Sequence, residues 1–275
     1  MKEKIDISAA DLDDVLLVIR NNYGYDFSNY SRASLIRRVL RFMDTARIKT
    51  VYDLRFHLTN EPAFFAYFLQ TITVNVTEMF RDPAFYHSLR EKVLPKLAAY
   101  PIIKIWHAGC SSGEEVYSMC ILLEEAGLLN RAVIYATDIN PANIEKARSG
   151  IVPMHYMKDY TANYQQSGGK EDFSTYYTAR YENALIRKDL RRNIVFSQHN
   201  LVTDQGFNEF QLVCCRNVLI YFNKTLQNHV FHLFYNSLPP MGYLALGMKE
   251  SLLFTDLRDK FETVDATAKI FKRKK

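Results

Sequence analysis

Two glutamates that open a helix behind a glycine turn, and an aspartate that closes the next strand, are the residues of this chain best placed to do chemistry. They lie in Lys104–Glu115, KIWHAGCSSGEE, and in Ala136–Asn140, ATDIN. The first segment reads as a strand, a tight turn and a helix start; the second reads as a strand ending on Asp138. Glycines let backbone approach a ligand closely, and an acid after the next strand can accept hydrogen bonds from ribose hydroxyls, so the pattern suits a nucleoside. The dinucleotide fingerprint G-x-G-x-x-G is absent, with Gly109 and Gly113 four apart. Glu114 and Glu115 also stand where a pyrophosphate needs donors rather than anions. A nucleoside without phosphates and with a positive charge fits these residues better, and S-adenosylmethionine (SAM), a sulfonium, is such a ligand.

These residues need a scaffold, and the hydrophobic periodicity supplies one. From about residue 100 strands and helices alternate: strands at Ile102–Ala108, Val133–Thr137, Asn193–Ser197, Phe210–Cys215, Tyr243–Gly247, Phe261–Val264 and Lys269–Lys272, and helices at Glu114–Ala126, Pro141–Ser149 and Lys224–Leu238. Such alternation predicts an α/β fold with a largely parallel sheet covered on both faces. Ligands in these sheets bind beyond the carboxyl ends of the strands. Gly109, Asp138, Asn200 and Arg216 all fall just past predicted strand ends. Ser174–Ile186 breaks the pattern and predicts two short strands around a turn at Tyr181–Asn183, a small antiparallel β insertion at about residues 165–192.

The first 70 residues predict helices instead. Ser8 and Asp11 have the spacing of a capping box, and Leu12, Val15, Leu16 and Ile19 recur at helical intervals. A second helix is expected over Ser31–Thr45, with Ile36, Val39, Leu40 and Met43 on one side and Arg37, Arg38 and Arg41 projecting from the other. Val51–Leu58 and Glu61–Gln70 complete a four-helix region, and Leu69–Thr77 connects it to the rest. The arginine face fits either a solvated surface or a docking surface.

Composition narrows the function classes. The chain has 275 residues, 48% of them hydrophobic, which is enough for a full core plus a small extra domain. No run reaches the apolar length of a membrane span, and the N-terminal MKEKIDISAADLDD is charged where a signal peptide needs an apolar stretch. A cytoplasmic location is expected. The four cysteines lack zinc-site spacing and read as reduced, buried thiols, and the seven histidines form no ligand pattern, so no metal is expected. Net charge is +5, and between Arg32 and Lys49 six basic residues stand against one acid. That concentration points to an acidic partner: nucleic acid, a membrane surface or an acidic protein.

Five motifs carry a resemblance: Asn75–Pro83, NVTEMFRDP; Trp106–Tyr117, WHAGCSSGEEVY; Ala136–Asn140, ATDIN; Glu145–Ile151, EKARSGI; and Cys215–Phe222, CRNVLIYF. In this order and spacing the chain resembles the chemotaxis receptor methyltransferases, the CheR family of protein-glutamate O-methyltransferases, nearly end to end. It departs from the family at Met79-Phe80, where two phenylalanines are common, at Ser111-Ser112-Gly113, where Ser-Thr-Gly is common, and at Gly247–Ser251, GMKES, where a His-Ser-Glu often stands.

The resemblance implies a Rossmann-like SAM methyltransferase sheet over 73–275, with an all-helical domain over 1–72 whose basic helix docks substrate through Arg37, Arg38 and Arg41. It implies SAM as cofactor and S-adenosylhomocysteine as product. The SAM pocket would use Asn75, Thr77, Arg81, Glu115, Asp138, Asn200, Leu201, Arg216 and Asn217, and Arg81 with Tyr221 would form the catalytic pair. The implied partner is the cytoplasmic signalling domain of a chemoreceptor, with the membrane involved only through that receptor. A monomer is the default expectation, and with no recognised RNA-binding motif no nucleic acid is expected. The residues alone leave open a SAM methyltransferase acting on a small molecule or RNA, or a SAM-sensing docking module without turnover.

Overall fold

The computed structural model describes residues 7–275. The first six residues of the charged N-terminal stretch lie outside the described residues. The chain forms two compact units: one comprises the chain up to Val74 together with Tyr221–His229, and the other comprises Asn75–Ile220 with Val230–Lys275.

The first unit is helical: α1 (Ala9–Tyr23), α2 (Arg32–Ala46), α3 (Val51–Asn60) and α4 (Pro62–Ile72). The predicted box at the start of α1 is present, with the Ser8 hydroxyl accepting from the Asp11 amide and the Asp11 carboxylate accepting from the Ser8 amide. Leu12, Val15, Leu16 and Ile19 are buried, as their spacing predicts. Helix α2 buries Leu35, Arg38, Val39, Phe42 and Met43. Arg38 therefore does not project with Arg37 and Arg41, and the expected three-arginine face is corrected to two. Leu35 and Phe42 belong to the buried side along with Val39 and Met43. At about 100° per residue they turn that side toward position 38 and leave Ile36 and Leu40 at its margin.

The second unit carries a seven-stranded sheet. In chain order its elements are α5 (Pro83–Ser88), α6 (Leu94–Leu97), β1 (Ile103–Ala108), α7 (Glu114–Glu125), β2 (Ala132–Asp138), α8 (Pro141–Ser149), β3 (Ile151–Pro153), α9 (Met157–Gln166), β4 (Tyr177–Arg180), β5 (Asn183–Ile186), β6 (Ile194–Gln198), β7 (Leu212–Cys215), α10 (Lys224–Asn236, whose first residues group with the helical unit), β8 (Tyr243–Leu246), β9 (Phe261–Asp265) and β10 (Ile270–Arg273). The order across the sheet is β6-β2-β1-β7-β8-β10-β9, parallel through β8, with β10 antiparallel to both neighbours. This is the largely parallel sheet that the strand–helix alternation predicts, in the Rossmann-like form that the resemblance implies.

The chain leaves β1 toward β2 on one side and returns to β7 on the other, so the strand order reverses beside β1. That crevice is where an open α/β sheet binds ligands. The β1 side chains are sealed against the core: Trp106 is fully buried and its indole N–H donates to the Thr137 hydroxyl at 2.8 Å.

Three elements escape the sequence pattern. Residues 83–97 form a helix interrupted by a π-helical stretch, Leu89–Val93. Pro95 can donate no backbone bond there, and the Leu94 amide bonds back to Leu89. Helix α9 is short and polar. The predicted hairpin exists as β4 and β5, but it gains a third strand from β3, outside the predicted stretch, in the order β3-β5-β4. All four cysteines are free and buried. Among the described residues no helix is long and apolar enough to cross a membrane.

Candidate active site

Left-handed backbone collects at the carboxyl edge of the sheet. Gly109 (φ 82°), Ser111 (φ 51°) and Gly113 (φ 97°) lie in the turn after β1, and Asn217 (φ 62°) follows β7. Phe80 (φ 54°) and Asp82 (φ 60°) flank Arg81. For residues other than glycine this region costs energy and persists only where the surroundings hold it, which makes such clusters a mark of functional sites. Glycine is required at Gly109 twice over, since a Cβ there would meet Val218 Cγ2 at 2.4 Å. At Gly113 a Cβ would press on Ala147 and Tyr117 at 3.0 and 3.1 Å.

The Arg81 turn is braced from below. The buried Arg216 guanidinium donates to the Arg81 carbonyl (3.1 Å), to Asp82 Oδ2 (2.7 Å) and to Glu115 Oε2 (3.0 Å), and lies 4.0 Å from the centre of the Phe85 ring. Glu115 Oε1 is 2.8 Å from His107 Nδ1. Burial pushes the Glu115 carboxyl up, but the His107 hydrogen bond and the Arg216 charge outweigh it and hold the group below its ordinary value. An ionised carboxylate only accepts, so His107 Nδ1 is the donor. Burial lowers Arg216, and Glu115, Tyr86 and Asp82 more than reverse it, leaving its pKa raised. Ser118 supplies the third brace by accepting the Phe80 amide at 2.9 Å.

Glu115 and Arg216 thus have visible work as buttresses of the turn. Both Glu115 oxygens are committed, and the Arg216 side chain is 1% exposed. His107, Glu115 and Cys214 bring ligand-type atoms within 4.8 Å of one another. With a guanidinium already on the same carboxylate, a second cation there would be repelled. The arrangement reads as a buried ion pair.

A second group forms around Asp138. Its Oδ2 accepts from the Ser111 amide (2.9 Å), and its Oδ1 accepts from the Asn140 amide (2.9 Å) and from Asn143 Nδ2 (3.1 Å). Asn143 also donates to Asn75 Oδ1 at 2.7 Å, so Asn75 and Asp138, 63 positions apart in the chain, share one amide. Burial raises the Asp138 pKa against the pull of these bonds. Glu114, bonded to the Ser112 hydroxyl, is likewise raised by burial. The Ser111 hydroxyl is buried with no partner among the described residues. The space beside Gly109 is taken by Val218 rather than left to a ligand, but the partnerless Ser111 hydroxyl and the carboxylates of Asp138 and Glu114 make an edge that suits a cationic nucleoside and repels phosphates.

The remaining expected residues are more scattered. Thr77 is half-buried two positions after Asn75, and Leu201 is buried. Asn200 closes a local turn after β6, accepting from the Val202 amide and donating its own amide to Asp204. The Asn217 amide donates to Glu250 Oε2 at 3.1 Å. Arg81 Nη1 donates to the Val76 carbonyl at 3.1 Å. Tyr221 falls in the helical unit, and Arg81 in the sheet unit. Two positioning residues are absent from the expected set. Asn143 has a local signal, the DINPAN run that begins at Asp138. Glu250, the glutamate of the Gly247–Ser251 run that stands where the family often has His-Ser-Glu, accepts four backbone amides, from Gly247 (2.6 Å), Leu219 (2.7 Å), Asn217 (3.1 Å) and Ile220 (3.4 Å).

Residues 75–270 match the family described as CheR methyltransferase, SAM binding domain, and residues 10–73 match its all-alpha domain. The chain belongs to the CheR methyltransferase family. It is 49% identical over 251 residues to the putative methyltransferase Cher3 of Pseudomonas putida, covering 91% of this chain and 92% of that one. It is 31% identical to the chemotaxis protein methyltransferase of Listeria innocua, over 86% and 88% of the two chains. It is 35% identical to chemotaxis protein methyltransferase 1 of Vibrio cholerae, over 71% of each. As a family member the protein is a SAM-dependent methyltransferase, and the edge built around Asp138 and Ser111 is compatible with SAM.

Proposed function

We propose that this protein converts glutamate side chains on the cytoplasmic signalling helices of a chemoreceptor into methyl esters. The observation that carries the reading is the Arg81 turn, a strained loop over a buried charge network that presents one cationic side chain at the edge of a SAM-binding sheet. Relatives named for chemotaxis support the choice of substrate.

Bound SAM supplies an activated methyl group and leaves as S-adenosylhomocysteine. A glutamate carboxylate is already ionised at neutral pH and needs no general base. The residues therefore align and hold. Arg81 grips one carboxylate oxygen through its fork of donors and leaves the other to receive the methyl group. A cation beside a nucleophile also weakens it, but orientation is worth several kcal/mol and prevails. Tyr221 steadies the carboxylate by its hydroxyl or lines the methyl channel with its ring. Asp138 and Asn75, with Thr77, Glu115, Asn200, Leu201, Arg216 and Asn217, form and support the cofactor pocket. Residues 1–72 dock the substrate, Arg37 and Arg41 facing the acidic receptor bundle, and 73–275 perform the transfer. The enzyme acts as a cytoplasmic monomer that meets the membrane only through its receptor and does not bind nucleic acid.

The test is methyl-labelled SAM with the purified protein and an acidic chemoreceptor signalling fragment. Label on the fragment that is released as methanol in mild base is the expected result. Base-stable label would mean a different acceptor atom, and SAM binding without label on such fragments would mean a different substrate or a sensing role. Asp138→Ala should weaken SAM binding by an order of magnitude or more, read by calorimetry.

A further inference from the structure

Arg38 stands apart from its neighbours on α2. Its residue exposure is 9%, and Nη1 donates to the carbonyl of Ile72, the last residue of α4, at 2.5 Å. The guanidinium carbon lies 4.4 Å from the centre of the Tyr221 ring. The backbone of Tyr221 is held by the same helix, since its carbonyl accepts from the amide of Ser31, the residue before α2, at 2.8 Å. Burying a guanidinium is costly, and burial is the largest influence on Arg38, pulling its pKa down. A basic residue kept there for docking would gain nothing from that cost.

We infer that Arg38 is a positioning residue for Tyr221. The guanidinium is planar. It can donate in its own plane to the Ile72 carbonyl while presenting its face to the phenol ring, which an ammonium cannot do at once. Arg38 thereby fixes the plane of the ring, and Ser31 fixes the backbone that carries it. The inference rests on the role given to Tyr221 above and deepens it. It also divides the α2 arginines by task, with Arg37 and Arg41 left on the exposed side to meet substrate.

The experiment is steady-state methylation of the receptor fragment by Arg38→Met and Arg38→Lys, each alone and combined with Tyr221→Ala. Arg38→Met should lower kcat by about tenfold or more while the KM for the fragment and its salt dependence stay near those of the native enzyme. Arg38→Lys should recover part of kcat. In the Tyr221→Ala background, Arg38→Met should cause no further loss. A raised KM with native kcat would make Arg38 a docking residue and overturn the inference, as would losses that multiply in the double variant. Should Arg38→Met melt the helical unit, Arg38→Lys decides: a folded variant with native kcat overturns the inference. A native enzyme that leaves the fragment unlabelled removes the substrate reading and this inference with it, whereas labelling by the native enzyme with unchanged kcat in the variants removes this inference alone.

Discussion

Arg216 and Arg41 carry the same charge in opposite surroundings. The Arg216 side chain is 1% exposed and is shared among two carboxylates and a carbonyl beneath the Arg81 turn. Arg41 is exposed on α2 beside the likewise exposed Arg37. In the interior a charge acts over a few ångströms in low dielectric and fixes geometry. On the surface it is screened by salt and can only bias an encounter. Arg216 therefore serves architecture, whereas Arg37 and Arg41 are placed only where a charge could bias an encounter, and sequence alone distinguishes the two settings poorly.

The sharpest way to break this division is to remove Arg216. Arg216→Ala strands Glu115 as a buried charge, and the expected loss of folding stability in the sheet unit is about 3–5 kcal/mol, measured by denaturant unfolding. A loss near zero would mean that the buried network does not hold the turn. Glu250→Gln comes next. Its amide nitrogen would face backbone donors now bonded to a carboxylate, costing about 1–3 kcal/mol and weakening SAM binding in calorimetry. Native SAM affinity in a folded Glu250→Gln protein would detach Glu250 from the cofactor edge.

On the exposed side, reversing both charges with Arg37→Glu and Arg41→Glu should raise the KM for the receptor fragment by about tenfold at low salt and flatten its salt dependence. Unchanged kinetics at low salt would leave these residues as a merely solvated face. The smallest expected effect concerns Glu114. Its pKa is raised by burial, so the folded state resists ionisation, and the penalty develops as pH rises above the unfolded value of about 4.3. Glu114→Gln should therefore increase thermal stability slightly at pH 7, and the gain should vanish near pH 4. A gain that persists in acid would point to packing.

What the sequence discloses follows the range of the interaction. The Ser8–Asp11 box spans three residues and is visible as such. The strands follow from apolar runs, and Asp138 follows from its place after one of them. Arg38 is misplaced when Ile36, Val39, Leu40 and Met43 alone define the apolar side, because Leu35 and Phe42 shift that side toward position 38. The partners of Arg216 could not be read at all, since Glu115 and Asp82 lie 101 and 134 residues away. Glu250 reaches Asn217 across 33 residues by a bond to backbone, which leaves no trace in side-chain type. Residues 83–97 hide their helix behind a proline that the π-helical stretch accommodates.

The division between chemistry and capture is tested most directly by comparing Arg81→Ala with the Arg37→Glu/Arg41→Glu variant on one receptor fragment, with kcat and KM measured across ionic strength. Arg81→Ala should lose kcat at every salt concentration, whereas the α2 variant should keep kcat and lose its salt-dependent KM. An Arg81→Ala enzyme that keeps most of its turnover, or an α2 variant whose kcat falls as far, would overturn the division.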